Sequence, residues 1–302
     1  MKSPDLSIKF CGLHLKNPIL LASGTCGYGA EIADLINLDS LGGIIVKGIS
    51  LRPKPGNPPP RIFETASGLL NSIGLENVGL EAFIRHKLPW LRTLNTHILV
   101  NILGDTVEEY AELARTLNKE PGISALEVNI SCPNVKSGGV AFGTDPVAAA
   151  EVTQAVKDCT QLPVIVKLSP NVTDITAIAK AVEKAGANAV SLINTLLGMA
   201  IDIHRRKPVL ANVFGGLSGP AIKPVALRMV WQTVRAVSIP VMGIGGITTA
   251  SDALEFFLAG AKAIQIGTAT LVNPKAAVEV IDGIKKYMKE TGMTCIEDLH
   301  IL

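Results

Sequence analysis

The sequence predicts an α/β fold, a (β/α)8 TIM barrel with an N-terminal β-hairpin and insertions at its C-terminal face. Three observations carry that expectation: eight short apolar runs, helical patterns between several of them, and a polar residue or glycine at or near the end of each run. The expected strands are Pro18 to Ser23, Gly43 to Gly48, His97 to Leu103 and Leu126 to Ser131, then Val164 to Ser169, Ala189 to Thr195, Val241 to Gly246 and Ala263 to Thr268. Short apolar stretches of this kind suit strands buried on both faces, because parallel strands carry helices on either side. Eight strand–helix units favour a closed barrel, with a doubly wound sheet as the alternative.

Ahead of the first run, Leu6 to Asn17 alternates around Gly12 like a hairpin, placed where it could plug the bottom of a barrel. Residues Leu51 to Gly79 are rich in proline and glycine and read as a long loop with an apolar tail, a length that inside a compact domain usually signals function. Helical patterns follow at Thr106 to Leu117, Asp145 to Cys159, Asp174 to Ala185 and Ser251 to Ala259, each opened by a hydroxyl or carboxylate able to cap it. The last two run into Ala-Gly-Ala and then a strand, a repeated helix stop. The expected organisation is one barrel domain over residues 1–302.

The chain has 302 residues and a formal net charge of +2, with 48% hydrophobic and 18% charged residues. That composition excludes a disordered chain. With near-neutral charge and only 12 aromatic residues, it offers neither a basic face nor a stacking surface for nucleic acid. Mean hydropathy is positive, yet no window reaches the roughly 20 unbroken apolar residues of a membrane span. Met1 to Phe10 lacks the pattern of a secretory signal. The five cysteines (Cys11, Cys26, Cys132, Cys159 and Cys295) are widely spaced with no C-x-x-C pair. They argue against a disulfide framework, a zinc site or an iron–sulfur cluster on this chain, and for a reducing cytoplasm.

Barrel active sites lie at the C-terminal ends of strands. The run ends here are Ser23, Lys47, Asn101, Asn129, Lys167, Asn194 with Thr195, Gly245 with Gly246, and Gly267 with Thr268. Turn formation explains one polar strand end, but two lysines and three asparagines converging on one mouth require a ligand. GIGGI and QIGTA end strands seven and eight, where barrels commonly hold a phosphate on exposed backbone amides. Cys132 follows strand four beside a proline and a glycine-bearing loop, placed to act as base or nucleophile, while the other four cysteines read as small buried hydrophobes. No histidine ends a strand to complete a Cys–His hydrolase, and no acidic or histidine cluster suggests a metal. A phosphate site, two lysines and intervening amides describe a pocket for flavin mononucleotide (FMN). A lysine near the ring's N1/O2 edge would stabilise the reduced anion, the cofactor would accept hydride, and Cys132 would take the partner proton.

From NPILLASGT through GNPPPR, ETASGLLNSIGLEN, NISCPNVKSGG, SLINT and GGLSGPAIKPVALR to GIGGI and IGTA, the chain resembles the dihydroorotate dehydrogenases of pyrimidine biosynthesis, nearly end to end. Cys132 in place of serine resembles the soluble class, with no N-terminal membrane-docking extension ahead of the barrel. ETASGLLNSIGLEN resembles the NAD-linked branch, whose catalytic chain works with a subunit carrying FAD and a [2Fe-2S] cluster. The resemblance implies FMN contacts at Ser23, Lys47, Gly48, Asn101, Asn129 and Lys167. It adds Ile193, Gly219, Gly245, Gly246, Gly267 and Thr268 from the second half of the chain. Dihydroorotate and orotate contacts are implied at Lys47, Asn71, Ser72, Ile73, Gly74, Leu75, Asn129, Asn194 and Thr195. Ser72 and Val78 stand where the branch usually has alanine and proline. A homodimer joined to the electron-transfer subunit is the implied assembly. Three alternatives stay open: the fumarate-linked branch, a dihydropyrimidine dehydrogenase-like subunit, and a non-catalytic nucleotide-binding barrel.

Overall fold

The structure is a computed structural model that describes residues 4–131, 133–134 and 140–299. Eight parallel strands close into a barrel in chain order: Ile19–Leu21, Gly43–Ile49, His97–Ile102, Ala125–Asn129, Val164–Lys167, Ala189–Leu192, Val241–Ile244 and Ala263–Ile266. They are numbered one to eight below. Strand eight pairs with strand one through Ile264 and Ile19, which closes the ring and excludes the doubly wound sheet. Ile44, Ile45, Val46, Val164, Ile165 and Val166 are all fully buried, as expected of strands covered on both faces. Six of the eight ladders stop two or three residues before the expected ends, because the terminal polar residues leave the hydrogen-bonded sheet and turn into the mouth. In strand two the register to strand three shifts between Val46 and Ile49, so Lys47 and Gly48 lie in an irregularity of the kind that re-aims a side chain.

The helices begin where the sequence supplies a cap. Thr106, Asp145 and Asp174 cap Val107–Leu117, Pro146–Lys157 and Ile175–Lys184, each side chain accepting a first-turn amide. The expected start at Ser251 is corrected: the helix is Ala250–Leu258, and Thr249 caps it in a reciprocal box with Asp252. A carboxylate three residues on selects Thr249 over the neighbouring hydroxyl. Gly186 and Gly260 adopt φ of 93° and 103° just after their helices, a left-handed stop open to glycine. Lys223–Val234 and Ala276–Thr291 are further helices, whereas strands one and two are joined by turns and the short 3-10 segment Leu38–Ser40. Among the described residues no helix is long and apolar enough to cross a membrane.

The N-terminal hairpin pairs Ile8–Phe10 with Leu13–Leu15 across Cys11 and Gly12, both at positive φ as a tight two-residue hairpin turn requires. It buries Phe10 and Leu15 and is fastened to the N-terminal ends of the strands, where Lys16 Nζ donates to the carbonyls of Asp39 and Asn95. The 51–79 segment is not one long loop. Ile62–Thr65 and Gly68–Asn71 form a hairpin, and Gly68–Asn71 pairs with Gly215–Ser218, which pairs in turn with Leu196–Gly198. The resulting four-stranded antiparallel sheet contributes Ile62, Leu69, Leu197 and Gly216 to the wall of the cavity at the C-terminal mouth.

Candidate active site

The mouth encloses a cavity of about 640 Å³. Ser23, Lys47, Gly48, Asn101, Asn129, Lys167, Ile193, Asn194 and Thr195 line it from the ends of strands one to six. Gly219, Gly245, Gly246, Gly267 and Thr268 close the far side, and Asn71 to Leu75 form the wall beneath the accessory sheet. Every described residue expected in the site is therefore brought to one cavity. Cys132 lies outside the described residues.

Two regions of different chemistry meet here. On one side, Gly219, Gly245 and Gly246 have φ of 90°, 128° and 71°. A Cβ on Gly246 would come within 2.8 Å of the Lys223 backbone nitrogen and 2.9 Å of the Gly219 carbonyl oxygen, so the two loops touch backbone to backbone. Among the described residues the amides of Gly246, Ile247 and Thr268 have no protein acceptor, which leaves a cluster of donors suited to an anion. Thr268 Oγ1 donates to Ser218 Oγ at 2.8 Å and ties the end of strand eight to the accessory sheet.

On the other side the wall is amide-rich. Asn194 Nδ2 donates to Ser131 Oγ at 2.8 Å and to Asn129 Oδ1 at 3.3 Å, while Asn194 Oδ1 accepts the Thr195 amide at 2.8 Å. Asn71 Nδ2 reaches the Gly216 carbonyl, and Asn57 Nδ2 reaches that of Ser72. Ser72 Oγ is buried without a partner among the described residues. Lys47 stands half-buried on this wall. Burial pushes its ammonium below the usual lysine value, with Glu76 opposing and Arg61 adding to the shift. Elsewhere, burial pushes the Cys11 and Cys26 thiols up to about 12, the behaviour of inert packing residues.

Beneath the cavity lies a polar layer that the sequence reading missed. Glu127, 0% exposed, accepts from Asn101 Nδ2 at 2.7 Å, Ser191 Oγ at 2.8 Å and Gln265 Nε2 at 2.6 Å. Its Oε2 also lies 3.9 Å from Lys167 Nζ. Five strands thus contribute to one buried cluster in a barrel interior that is ordinarily apolar. A charged residue in the middle of the buried run LEVN was the available signal, since a buried carboxylate must be paired.

The family model for dihydroorotate dehydrogenase matches residues 5–288. The chain is 59% identical over 299 residues to the dihydroorotate dehydrogenase B (NAD(+)) catalytic subunit of Geotalea uraniireducens (strain Rf4), covering 99% of this chain and 98% of that protein. Its identity to the corresponding catalytic subunit of Pelobacter propionicus is 58% over 296 residues, covering 98% and 97%. For Geobacter sulfurreducens the identity is 57% over 299 residues, covering 99% and 98%.

Proposed function

Since this chain belongs to the dihydroorotate dehydrogenase family, we propose that it oxidises (S)-dihydroorotate to orotate in pyrimidine synthesis, as the catalytic subunit of an NAD-linked enzyme. The observation that carries this reading is the meeting, in one cavity, of a cluster of free amides with two lysines and several carboxamides. Residues 1–302 are read as one barrel domain.

The residues present fit FMN. Asn101 Oδ1 is a buried acceptor with no partner among the described residues, at a cavity wall where a Cβ on Gly48 would approach it to 2.7 Å. Gly246, Ile247 and Thr268 would take the phosphate on backbone amides with Gly267 beside them, and Lys167 would supply the cation beside the ring. Ser23, Gly48, Asn129, Ile193, Gly219 and Gly245 complete the cofactor's surroundings. When bound, FMN supplies the acceptor for the substrate's C6 hydride. Lys47 holds the substrate carboxylate, and Asn71, Ser72, Ile73, Gly74, Leu75, Asn129, Asn194 and Thr195 surround the pyrimidine, their amides donating and accepting at once. Cys132 takes the C5 proton.

Lys47 binds the anionic substrate only while protonated. Affinity is therefore present below its pKa and lost above it, and the lowered pKa brings that loss to a lower pH than an ordinary lysine near 10.4 would. Orotate titrations across alkaline pH, read from flavin absorbance, should show this limb in the wild type and lose it in Lys47→Met. An unchanged limb in the variant would assign the titration to another group.

No G-x-G-x-x-G fingerprint opens a helix after a strand in this chain, and its cysteines are not clustered, so electrons leave through a partner. That partner is a subunit carrying FAD and a [2Fe-2S] cluster, joined to a homodimer of this chain in the cytoplasm. The purified chain should oxidise dihydroorotate with artificial acceptors but reduce NAD poorly, and co-expression with the partner should raise NAD turnover strongly. Efficient NAD reduction by the isolated chain defeats the partner assignment, and efficient fumarate reduction moves the chain to the fumarate-linked branch.

A further inference from the structure

The loop after strand seven, Gly245 to Thr249, is gripped from beneath by one carboxylate. Asp252 is the third residue of the helix Ala250–Leu258, and a reciprocal cap there needs only its contact with the Thr249 amide. Asp252 Oδ2 in fact takes the Thr248 amide at 3.0 Å, the Thr248 hydroxyl at 2.8 Å, the Thr249 amide at 2.8 Å and the Thr249 hydroxyl at 2.9 Å. Its Oδ1 accepts from Lys223 Nζ at 2.7 Å, and the same ammonium donates to Glu255 Oε1 at 2.8 Å. Lys223 opens the helix Lys223–Val234, and its backbone is the surface on which Gly246 packs. The loop is thus pressed between the backbone of Lys223 and the carboxylate that the Lys223 side chain holds.

We propose that Asp252 and Lys223 form a clamp that positions the amides of Gly246 and Ile247 for the cofactor's phosphate, Asp252 acting as a positioning residue and not as a ligand. The inference rests on the FMN reading above. The second carboxylate on Lys223, Glu255, is partly exposed to solvent, and the charge nearest the loop is that of Asp252. A carboxylate close to an anion site would repel the anion, but here Lys223 and the loop's own donors take up its charge. Thr248 and Thr249 spend their amides on Asp252, while Gly246 and Ile247, whose amides have no protein acceptor among the described residues, line the cavity with Gly245.

The clamp should matter for the phosphate and not for the ring. Flavin-free full-length protein is titrated with FMN and with riboflavin, which lacks the phosphate, following flavin fluorescence. Wild type should bind FMN more tightly than riboflavin. Asp252→Asn should weaken FMN roughly tenfold, the usual scale for a lost charge-assisted hydrogen bond, and leave riboflavin within about twofold. Lys223→Met, which keeps the threonine contacts but strips the carboxylate of its cation, should shift the ratio the same way. A parallel loss of both flavins in both variants would make the cluster a purely structural cap, and an unchanged FMN affinity would refute the clamp while leaving the phosphate site standing. If wild type fails to distinguish the two flavins, the phosphate site is misassigned and the clamp falls with it.

Discussion

Replacing Cys132 with alanine should leave flavin bound and slow its reduction by dihydroorotate by roughly two to four orders of magnitude, the usual contribution of a general base. Oxidation of the substrate removes a hydride from C6 and a proton from C5, and without a proton acceptor at C5 the hydride cannot leave at speed. A thiol with a free pKa near roughly 8.5 suits that task at physiological pH. Serine at position 132 should retain a little activity that rises with pH, because a hydroxyl is a far weaker acid. Anaerobic stopped-flow reduction measures the step directly, and near wild-type speed in the alanine variant would place the base elsewhere.

The second large effect is on stability. Glu127→Ala should cost about 3–5 kcal/mol, the range for removing one member of a buried ion pair. The substitution leaves Lys167 without its counter-charge and strands the donors of Asn101, Ser191 and Gln265 in the barrel interior. Glu127→Gln should cost distinctly less. The carboxamide keeps one acceptor, and whichever of Asn101 and Gln265 faces its new NH2 group can turn to present its own oxygen, Asn101 Oδ1 or Gln265 Oε1, each without a partner among the described residues. Urea denaturation of both variants gives the comparison, and an alanine variant within about 0.5 kcal/mol of wild type would show that the cluster carries no net stabilisation.

Much of the mouth was readable because its chemistry interrupts apolar runs. Lys47, Asn101 and Lys167 are conspicuous beside Ile-Ile-Val, Ile-Leu-Val and Val-Ile-Val, and barrel geometry sends the ends of those runs to one place. Glu127 sits in the same kind of run but two residues before the strand's end, so the rule that reads strand ends passes over it. Its hydrogen-bonding partners Asn101, Ser191 and Gln265 are far apart in sequence, and only closure of the ring brings them within 3 Å of it.

Local interactions settled what the sequence by itself determined. The eight strands show as short apolar runs, the caps at Thr106, Asp145 and Asp174 and the glycine stops at Gly186 and Gly260 depend on residues a few positions apart, and each was legible. Tertiary structure alone decided what depends on distant pairing. Gly68–Asn71 holds its place through Gly215–Ser218, nearly 150 residues later, so the segment 51–79 read as a loop until its partner strand was known. Asp252 lies inside the expected helix Ser251 to Ala259, and nothing local announces that Lys223, from the preceding helix, lies on its other oxygen. The physical reason is common to both: a local pattern reports the hydrogen bonds a segment can satisfy within itself, and is silent on those that another part of the chain completes.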